Sequence, residues 1–196
     1  MQRTSVAVLG TLADFHRESI PYNLAALIRL VHDLHPDLLC LDMTPEQWRR
    51  RDFGELPPEY REALLPLAHQ TDIVVVPIAG DCPPDVPTAP GWRGQVIRLL
   101  RGWLATLHQH APSPDAINGG WRHWVADELY SAIGRLANIH RDWKAHTDYL
   151  TRQVLEVTRL DPGCRVLVAV NVRYCHHIRH ALKRHSEIQV VSYNEL

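Results

Sequence analysis

The stretch VAVLGTLADFH, residues 6–16, decides the fold that the sequence predicts. Its first four residues form a short apolar run, which is typical of a parallel strand covered on both faces. The run ends at Gly10 and Thr11, and Asp14 and His16 then fall in a loop before a helix. Ligands of open α/β folds bind beyond the carboxyl ends of the strands, so we expect this loop to form one wall of a site.

Four further apolar runs predict strands at residues 37–42, 73–78, 165–170 and 188–193. Pro77 cannot donate a ladder hydrogen bond, and it therefore marks the third strand as an edge strand or as the end of the ladder. Strands and helices alternate along the chain. This order predicts an α/β fold with a mostly parallel central sheet of about five strands, flanking helices and a helical insertion before the fourth strand.

Helical spacing and capping residues predict the helices between these strands. The first should open at Ser19 and Pro21, and its apolar stripe consists of Leu24, Leu27, Ile28, Val31 and Leu34. Thr44 and Gln47 form a capping-box pattern that predicts a short helix. Residues 59–70 should be helical with a bend at Pro66. A last helix should cover residues 175–184, after a loop at residues 171–174.

The middle of the chain, about residues 92–160, has no strand pattern and should be a helical insertion or lid. With 196 residues, we expect one domain over residues 1–196. The four cysteines are far apart and form no Cys-x-x-Cys pair, which favours free thiols in a reducing compartment.

Bulk charge and hydropathy narrow the classes of partner. The net charge of −1 gives no reason to expect nucleic acid or a membrane as a partner. No apolar run approaches the roughly 18 residues of a membrane span, and the N-terminal run is too short for a signal peptide, so we expect a cytoplasmic protein. The sequence lacks a Gly-x-Gly-x-x-Gly loop, a P-loop and a Gly-x-Ser-x-Gly elbow, which leaves dinucleotide binding, nucleotide hydrolysis and serine catalysis without support.

Two segments carry a recognisable pattern: VAVLGT followed by a helix and PDLLCLD, and HRDWKAHTDYLTRQVL followed by RVLVAV and NVRYCHHIRHAL. They resemble the TraB/Tiki superfamily, which also includes ChaN-like haem-binding proteins and erythromycin-esterase-like proteins. In that superfamily the first strand ends in Gly-Thr-x-His and the second in an acidic residue. Near the C-terminus a helix begins near Glu-Arg-Asp, with Arg141 in register here, and Gly-x-x-His follows the next strand. The resemblance covers both ends of the chain and leaves the helical middle unaligned.

This chain departs from that pattern at the metal-site positions. The first histidine of the superfamily falls on Ala13, or on Asp14 with one insertion, and the second falls on Tyr174. The acidic residue falls on Asp42 and the glycine of the second motif on Asn171. In metalloprotease members the histidines and the acid resemble a divalent metal site whose bound water is the nucleophile. The oxygen donors of Asp14, Asp42 and Tyr174 bind zinc less well than histidine imidazoles do. The resemblance therefore implies a member that has lost the metal histidines.

The candidate site residues follow the ends of the predicted strands. The candidate catalytic residues are His16, Asp42 and Tyr174. Arg173 could hold an anionic group through two hydrogen bonds. The full set of candidate ligand-binding residues is Gly10, Thr11, Asp14, Asp81, Arg141, Asn171, Arg173, His176 and His177. His176 and His180 share a helix face without an acidic third ligand, so the sequence assigns no metal site.

Three functions follow as hypotheses. The first is a domain that binds, and could act on, a small molecule or a peptide at the carboxyl ends of the strands. The second is a hydrolase in which His16 is the general base and Asp42 orients it, with or without a divalent metal. The third, implied by the ChaN-like resemblance, is haem binding with Tyr174 or His176 as the axial ligand. The sequence leaves a homo-oligomer open.

Overall fold

A computed structural model describes residues 3–80, 91–111, 113, 116–117, 120–137 and 143–196. Its centre is a parallel five-stranded sheet in the order β3-β2-β4-β1-β5. The strands are β1 (Thr4–Thr11), β2 (Leu38–Leu41), β3 (Val74–Pro77), β4 (Arg165–Asn171) and β5 (Ile188–Val191). The α/β fold predicted from the apolar runs is confirmed, and β3, which contains Pro77, lies at an edge.

Helices cover both faces of the sheet. They are α1 (Leu24–Leu34), α2 (Pro45–Arg50), α3 (Leu65–Gln70), α4 (Trp92–Gln109), α5 (Gly120–Leu136), α6 (Trp143–Leu160) and α7 (Val172–Leu182). Alternate strand residues point to opposite faces. Leu9 packs in one core with Leu27 of α1, and Val8 packs in the other with Leu150 of α6 and Ile178 of α7. The central strands are buried on both faces, which explains their continuous apolar sequence.

The helical insertion lies between β3 and β4, as predicted. Within it, α4 and α5 pack on each other around a third apolar cluster that includes Ile97, Leu104 and Ile133. None of the described helices is long and apolar enough to cross a membrane. Cys40, Cys164 and Cys175 are buried free thiols, in agreement with their scattered spacing.

Two helix starts differ from the prediction, and both differences bear on the site. α1 begins at Leu24, where the Asn23 side chain caps it by accepting the Ala26 N–H at 3.0 Å, and not at Ser19. The preceding residues form a turn because the Tyr22 carbonyl lies 2.8 Å from the His16 ring. α7 begins directly at Val172, since the Asn171 side chain accepts the Arg173 N–H and caps the helix at the end of β4.

Other local predictions are confirmed. Thr44 and Gln47 form the reciprocal capping box at the start of α2. The helical segment before Pro66 is a π-helix, Glu59–Leu64, which continues into α3. Pro66 supplies no N–H and disturbs the regular i→i−4 ladder, which accounts for the irregular winding there.

Candidate functional site

The carboxyl edge of the sheet brings the ends of β1, β2 and β4 together. Thr11 pairs in register with Asn171, and Leu41 pairs with Ala169. The chain leaves β1 and β2 towards one face of the sheet and leaves β4 through α7 towards the other. β4 therefore lies at a topological switch point, where open α/β sheets bind their ligands. Two crevices result, the β1/β4 crevice over residues 12–15 and 171–173, and the β2/β4 crevice at Asp42, His146 and Tyr174.

The β1/β4 crevice holds an open cavity of about 230 Å³. Its floor and walls come from the loop after β1, from α4 and α5, and from the start of α7. The lining residues are Leu12, Ala13, Asp14, Phe15, Arg101, Leu104, Tyr130, Ile133, Gly134, Asn171 and Arg173. Three candidate ligand-binding residues, Asp14, Asn171 and Arg173, lie together in this lining.

Two guanidinium groups reach the cavity from different helices. The Cζ atom of Arg101 lies 5.7 Å from the centre of the Phe15 ring. The Cζ atom of Arg173 lies 5.9 Å from the centre of the Tyr130 ring. Stacking on an aromatic face orients a guanidinium group and leaves its charge available. Among the residues that the structure describes, no carboxylate forms an ion pair with either arginine.

The cavity also contains an acidic side chain, a helix N-terminus and a phenol, which contribute to its charge. Asp14 is exposed at the mouth and is the acidic residue of the lining. The N-terminus of α7 lies at the cavity edge, where the helix dipole adds partial positive charge. Tyr130 supplies a hydroxyl group, and burial raises the pKa of this phenol, so that it stays protonated. The lining therefore carries two positive side chains against one negative side chain.

The β2/β4 crevice holds a hydrogen-bonded pair of side chains. The His146 Nε2–H donates to Asp42 Oδ2 over 3.0 Å, and the two side chains are 5% and 17% exposed. The edge of the His146 ring meets Tyr174, with 5.1 Å between the ring centres. Asp42 and Tyr174, two of the candidate catalytic residues, thus lie close together, with a histidine from α6 between them.

A buried tyrosine ties this crevice to the sheet. The Tyr60 hydroxyl donates to the Ala169 carbonyl at 2.8 Å and accepts the Asp42 N–H at 3.3 Å. Burial raises the pKa of this phenol, and the nearby Asp42 charge adds to the effect. At the end of β3, a Cβ on Gly80 would come within 3.2 Å of the Tyr149 ring, so α6 packs closely there. These contacts connect the β2/β4 crevice to the sheet backbone and to α6.

His16 is held by the backbone through both ring nitrogens. Its Nε2 accepts the Leu12 N–H at 2.9 Å, and its Nδ1–H donates to the Tyr22 carbonyl at 2.8 Å. The ring is 1% exposed, and burial lowers its pKa to about 4 although the bond to Tyr22 opposes this. A neutral imidazole with both nitrogens in use is poorly placed to act as a general base. The geometry favours a structural role, in which His16 shapes the loop that walls the cavity.

Buried polar groups without partners collect behind the β1/β4 cavity. Glu59 is 1% exposed, and its Oε1 accepts the N–H of Ala13, a residue with a positive φ of 51°. Among the described residues, four buried side-chain atoms have no hydrogen-bond partner; three of them, Thr11 Oγ1, Glu59 Oε2 and His108 Nε2, lie here, and the fourth is Arg61 Nε. The Thr11 hydroxyl lies near enough to favour the charged carboxylate but does not reach hydrogen-bond geometry. Thr11, Glu59 and His108 each lie next to the cavity lining.

Burial also shifts the acidity of these groups. It raises the pKa of the Glu59 carboxyl, and the hydrogen-bond donors around the carboxylate oppose this only in part. Burial lowers the pKa of His108 to about 4, with a further contribution from His16. The His108 ring contacts Phe15, with 5.3 Å between the ring centres. Burial therefore disfavours the charged form of both Glu59 and His108.

Of the other candidate ligand-binding residues, those that the structure describes do not line the cavity. Gly10 is buried at the end of β1, where its carbonyl accepts the Tyr22 hydroxyl at 3.3 Å. His176 and His177 lie on α7, contact each other and do not line the cavity. Asp81 and Arg141 lie outside the described residues. Within the described part of the chain, no group of three or more His, Cys, Asp or Glu side chains is arranged to hold a metal ion.

Sequence reasoning missed several residues that the fold brings to these crevices. Arg101 lies in the middle of α4, His146 lies near the start of α6, and Glu59 lies at the start of a helix. For Glu59 a signal exists, since the acid follows two prolines and precedes a buried tyrosine. For the other two, only the tertiary packing of α4 and α6 reveals the placement.

Comparison of the chain with models of known protein families, with curated proteins and with solved structures gives no significant match. The class that the fold and site define is therefore an open parallel α/β sheet with a crevice at its switch point. Membership of the TraB/Tiki superfamily stays a prediction. So does haem binding, in which Tyr174 would have to leave its contacts with His146 and Arg173 to reach an iron.

Proposed function

We propose that this protein binds a small molecule through a carboxylate or phosphate group held in the β1/β4 crevice by Arg101 and Arg173. The observation that carries the proposal is the convergence of two guanidinium groups, unpaired with any described carboxylate, on one cavity at the carboxyl edge of the sheet. Guanidinium groups bind carboxylates and phosphates through parallel N–H···O hydrogen bonds.

The size and polarity of the cavity narrow the ligand class. Pockets for drug-sized ligands typically span about 300–1,000 Å³, and this cavity is smaller at about 230 Å³. A compact metabolite fits such a volume better than a peptide segment. Asp14 faces the mouth and repels a second anionic group there, while it would attract an amino group. The neutral Tyr130 hydroxyl adds a donor that does not depend on pH near neutrality.

Calorimetric titration with succinate, inorganic phosphate and glutamate tests the proposal. We expect saturable binding of at least one of these probes to the wild-type protein. Arg173→Gln and Arg101→Gln should each weaken that binding by about tenfold or more, since a hydrogen bond to a charged group contributes about 1.5–3 kcal/mol. Arg173→Lys keeps the charge but not the fork geometry and should fall between wild type and Arg173→Gln.

Arg159→Gln is the matched control, because Arg159 lies on α6 in an exposed pair with Glu187 and away from the cavity. It should bind like the wild type. Asp14→Asn should tighten binding of phosphate and succinate by removing a like charge. If no probe binds, or if binding survives in Arg101→Gln/Arg173→Gln, the proposal is wrong.

Hydrolysis is a second candidate, and the Asp42–His146 hydrogen bond of 3.0 Å favours it. A carboxylate that orients an imidazole is the arrangement of many general bases. The general base would then be His146 and not His16, whose nitrogens both bind the backbone. Release of p-nitrophenol from p-nitrophenyl acetate should then disappear in His146→Gln and persist in His16→Gln. Equal rates in wild type and His146→Gln would rule this role out.

A further inference from the structure

The insertion carries a concentration of exposed apolar side chains. Five large ones, between 56% and 65% exposed, lie on two neighbouring helices: Trp92, Leu99 and Trp103 on α4, and Trp121 and Trp124 on α5. We refer to these five residues as the tryptophan surface. The three on α4 are spaced by seven and four residues, which places them on one stripe of the helix. Exposed apolar residues grouped in this way mark interaction surfaces.

The charge around this surface has one sign along α4. This 18-residue helix carries no aspartate or glutamate; Arg93 and Arg98 flank its apolar stripe, and Arg101 lies on the opposite side of the helix, at the β1/β4 cavity. The neighbouring α5 carries Arg122 beside Trp121, and Asp127 and Glu128 after Trp124. The Cζ atom of Arg93 lies 5.8 Å from the Trp92 ring centre, and that of Arg122 lies 4.8 Å from the Trp121 ring centre. The indoles are therefore accompanied by cationic groups, and the complementary surface should be apolar and negatively charged.

We propose that the tryptophan surface docks the protein on an anionic lipid membrane, with α4 lying in the plane of the interface. Helices that bind this way combine tryptophan and leucine on one face with arginine or lysine near the lipid phosphates. Indole rings prefer the boundary between hydrocarbon and water. The net charge of −1 gives no sign of this partner, because acidic residues elsewhere in the chain offset the arginines of α4.

A second copy of the chain fits the surface less well. Pairing α4 with α4 would bring arginines together without any carboxylate on either helix to neutralise them. A lipid surface supplies negative charge along the whole length of the helix, about 27 Å for 18 residues.

Sedimentation with lipid vesicles tests this proposal on the full chain. We expect the protein to pellet with vesicles of phosphatidylcholine and phosphatidylglycerol in equal amounts, and to stay in solution with vesicles of phosphatidylcholine alone. High salt should release it, because screening weakens the attraction of arginine to lipid phosphate. The intrinsic tryptophan fluorescence should shift to shorter wavelength only with the anionic vesicles.

Surface variants separate the apolar and the charged contributions. Trp92→Ser and Trp103→Ser should each lower the partition coefficient by about tenfold, because each indole would no longer bury its exposed face. Arg93→Gln and Arg98→Gln should each lower it by about fivefold. Leu160→Ser is the matched control, because Leu160 is an 86% exposed apolar residue on α6, and this variant should bind like the wild type.

Each contrary result overturns the proposal. If the wild-type protein does not bind vesicles, the membrane is not the partner. The same follows if binding is unchanged in the Trp92→Ser/Trp103→Ser variant, whose folding is checked by circular dichroism. A dimer in light scattering that dissociates in this variant assigns the surface to a second copy instead. Binding of a single-stranded oligonucleotide that is lost in the same variants, without vesicle binding, assigns it to nucleic acid.

Discussion

The two crevices on either side of β4 differ in how their buried polar groups are satisfied. In the β2/β4 crevice, Asp42, His146 and Tyr60 are joined by hydrogen bonds to each other or to the sheet backbone. In the β1/β4 crevice, the cavity remains open, and Glu59 and His108 behind it retain unpaired buried atoms. Both crevices lie at the same switch point, so topology alone does not distinguish a binding site from a structural contact.

The unpaired buried atoms show that the β1/β4 crevice lowers the folding stability of the protein. Buried polar groups in folded proteins are nearly always paired, and exceptions deserve an explanation. The backbone is also strained here. Ala13 lines the cavity, and its φ of 51° lies in the left-handed region that a side chain disfavours. Strain and unpaired groups that collect at one cavity are typical of functional sites. In the β2/β4 crevice, in contrast, Asp42, His146 and Tyr60 form hydrogen bonds.

The largest expected effect is a loss of folding stability at low pH, caused by the two buried histidines next to the β1/β4 cavity. His16 and His108 have folded-state pKa values near 4 and an unfolded value near 6.5. Above pH 6.5 both states are neutral and stability is complete. Between pH 6.5 and pH 4 only the unfolded chain binds the protons, so each histidine lowers the free energy of unfolding by up to about 3 kcal/mol.

Urea unfolding of wild type and His108→Leu at pH 7 and pH 5 measures this effect. The variant keeps an apolar side chain against Phe15 and removes the group that titrates. It should be more stable than the wild type at pH 5, with an advantage about 2 kcal/mol larger than at pH 7. Parallel stability curves over this range would show that His108 is not buried in its neutral form.

The next largest effect concerns the hydrogen-bonded pair of the β2/β4 crevice. Asp42→Ala leaves His146 buried without its partner and should lower the free energy of unfolding by about 3 kcal/mol. Arg173→Gln, at the neighbouring crevice, should change it by less than about 0.5 kcal/mol. Denaturant titration of the two variants compares them directly. Equal losses in both would remove the distinction between a structural and a binding crevice.

Glu59 should have a smaller effect on the free energy of unfolding. Its contribution should fall as the pH rises, whereas that of the two histidines falls as the pH is lowered. Its pKa is raised in the folded state, so the folded chain holds a proton that the unfolded chain releases, and stability falls as the pH rises above about 4.5 through the folded value. Glu59→Gln removes this dependence and should raise stability at pH 7 by about 1 kcal/mol. A variant that is less stable than the wild type at pH 7 would mean that the charged carboxylate is required.

The smallest effect is expected within α5. Gly134 lines the cavity in the last turn of this helix, and a Cβ there would contact the Arg173 guanidinium at an ordinary 3.9 Å. Gly134→Ala should stabilise the protein by about 0.5–1 kcal/mol through helix propensity, without strain. Thermal unfolding checks this gain. A loss of stability would mean that the backbone at Gly134 has to adjust to the cavity.

The sequence predicts the scaffold of these crevices better than their chemistry. The apolar runs predict a mostly parallel sheet of about five strands, and Pro77 marks β3 as an edge strand or as the end of the ladder, because burial on both faces and ladder bonding depend on local residue type. The placement of Asp14, Asn171 and Arg173 around one cavity follows from strand ends meeting at one edge. These predictions need only the order of the elements.

Pairings between distant side chains were not predictable in the same way. Asp42 and His146 are 104 residues apart, and nothing in the spacing of α6 selects His146 over its neighbours. His16 was predicted as a general base because of its place in the loop, but the early turn at Tyr22 uses its Nδ1 and the Leu12 N–H occupies its Nε2. Arg101 reaches the cavity only because α4 packs against α5.

Chemical-shift mapping by ¹H–¹⁵N NMR, during titration with phosphate or succinate, tests the central claim most directly. If the β1/β4 crevice binds the ligand, the amide signals of Ala13, Asp14 and Arg173 and the side-chain Nε–H signal of Arg101 should shift together. The amide signals of Asp42 and Met43 should stay in place. Shifts that collect at Asp42, Met43 and Gly80, with Ala13 and Arg173 unchanged, would contradict the account.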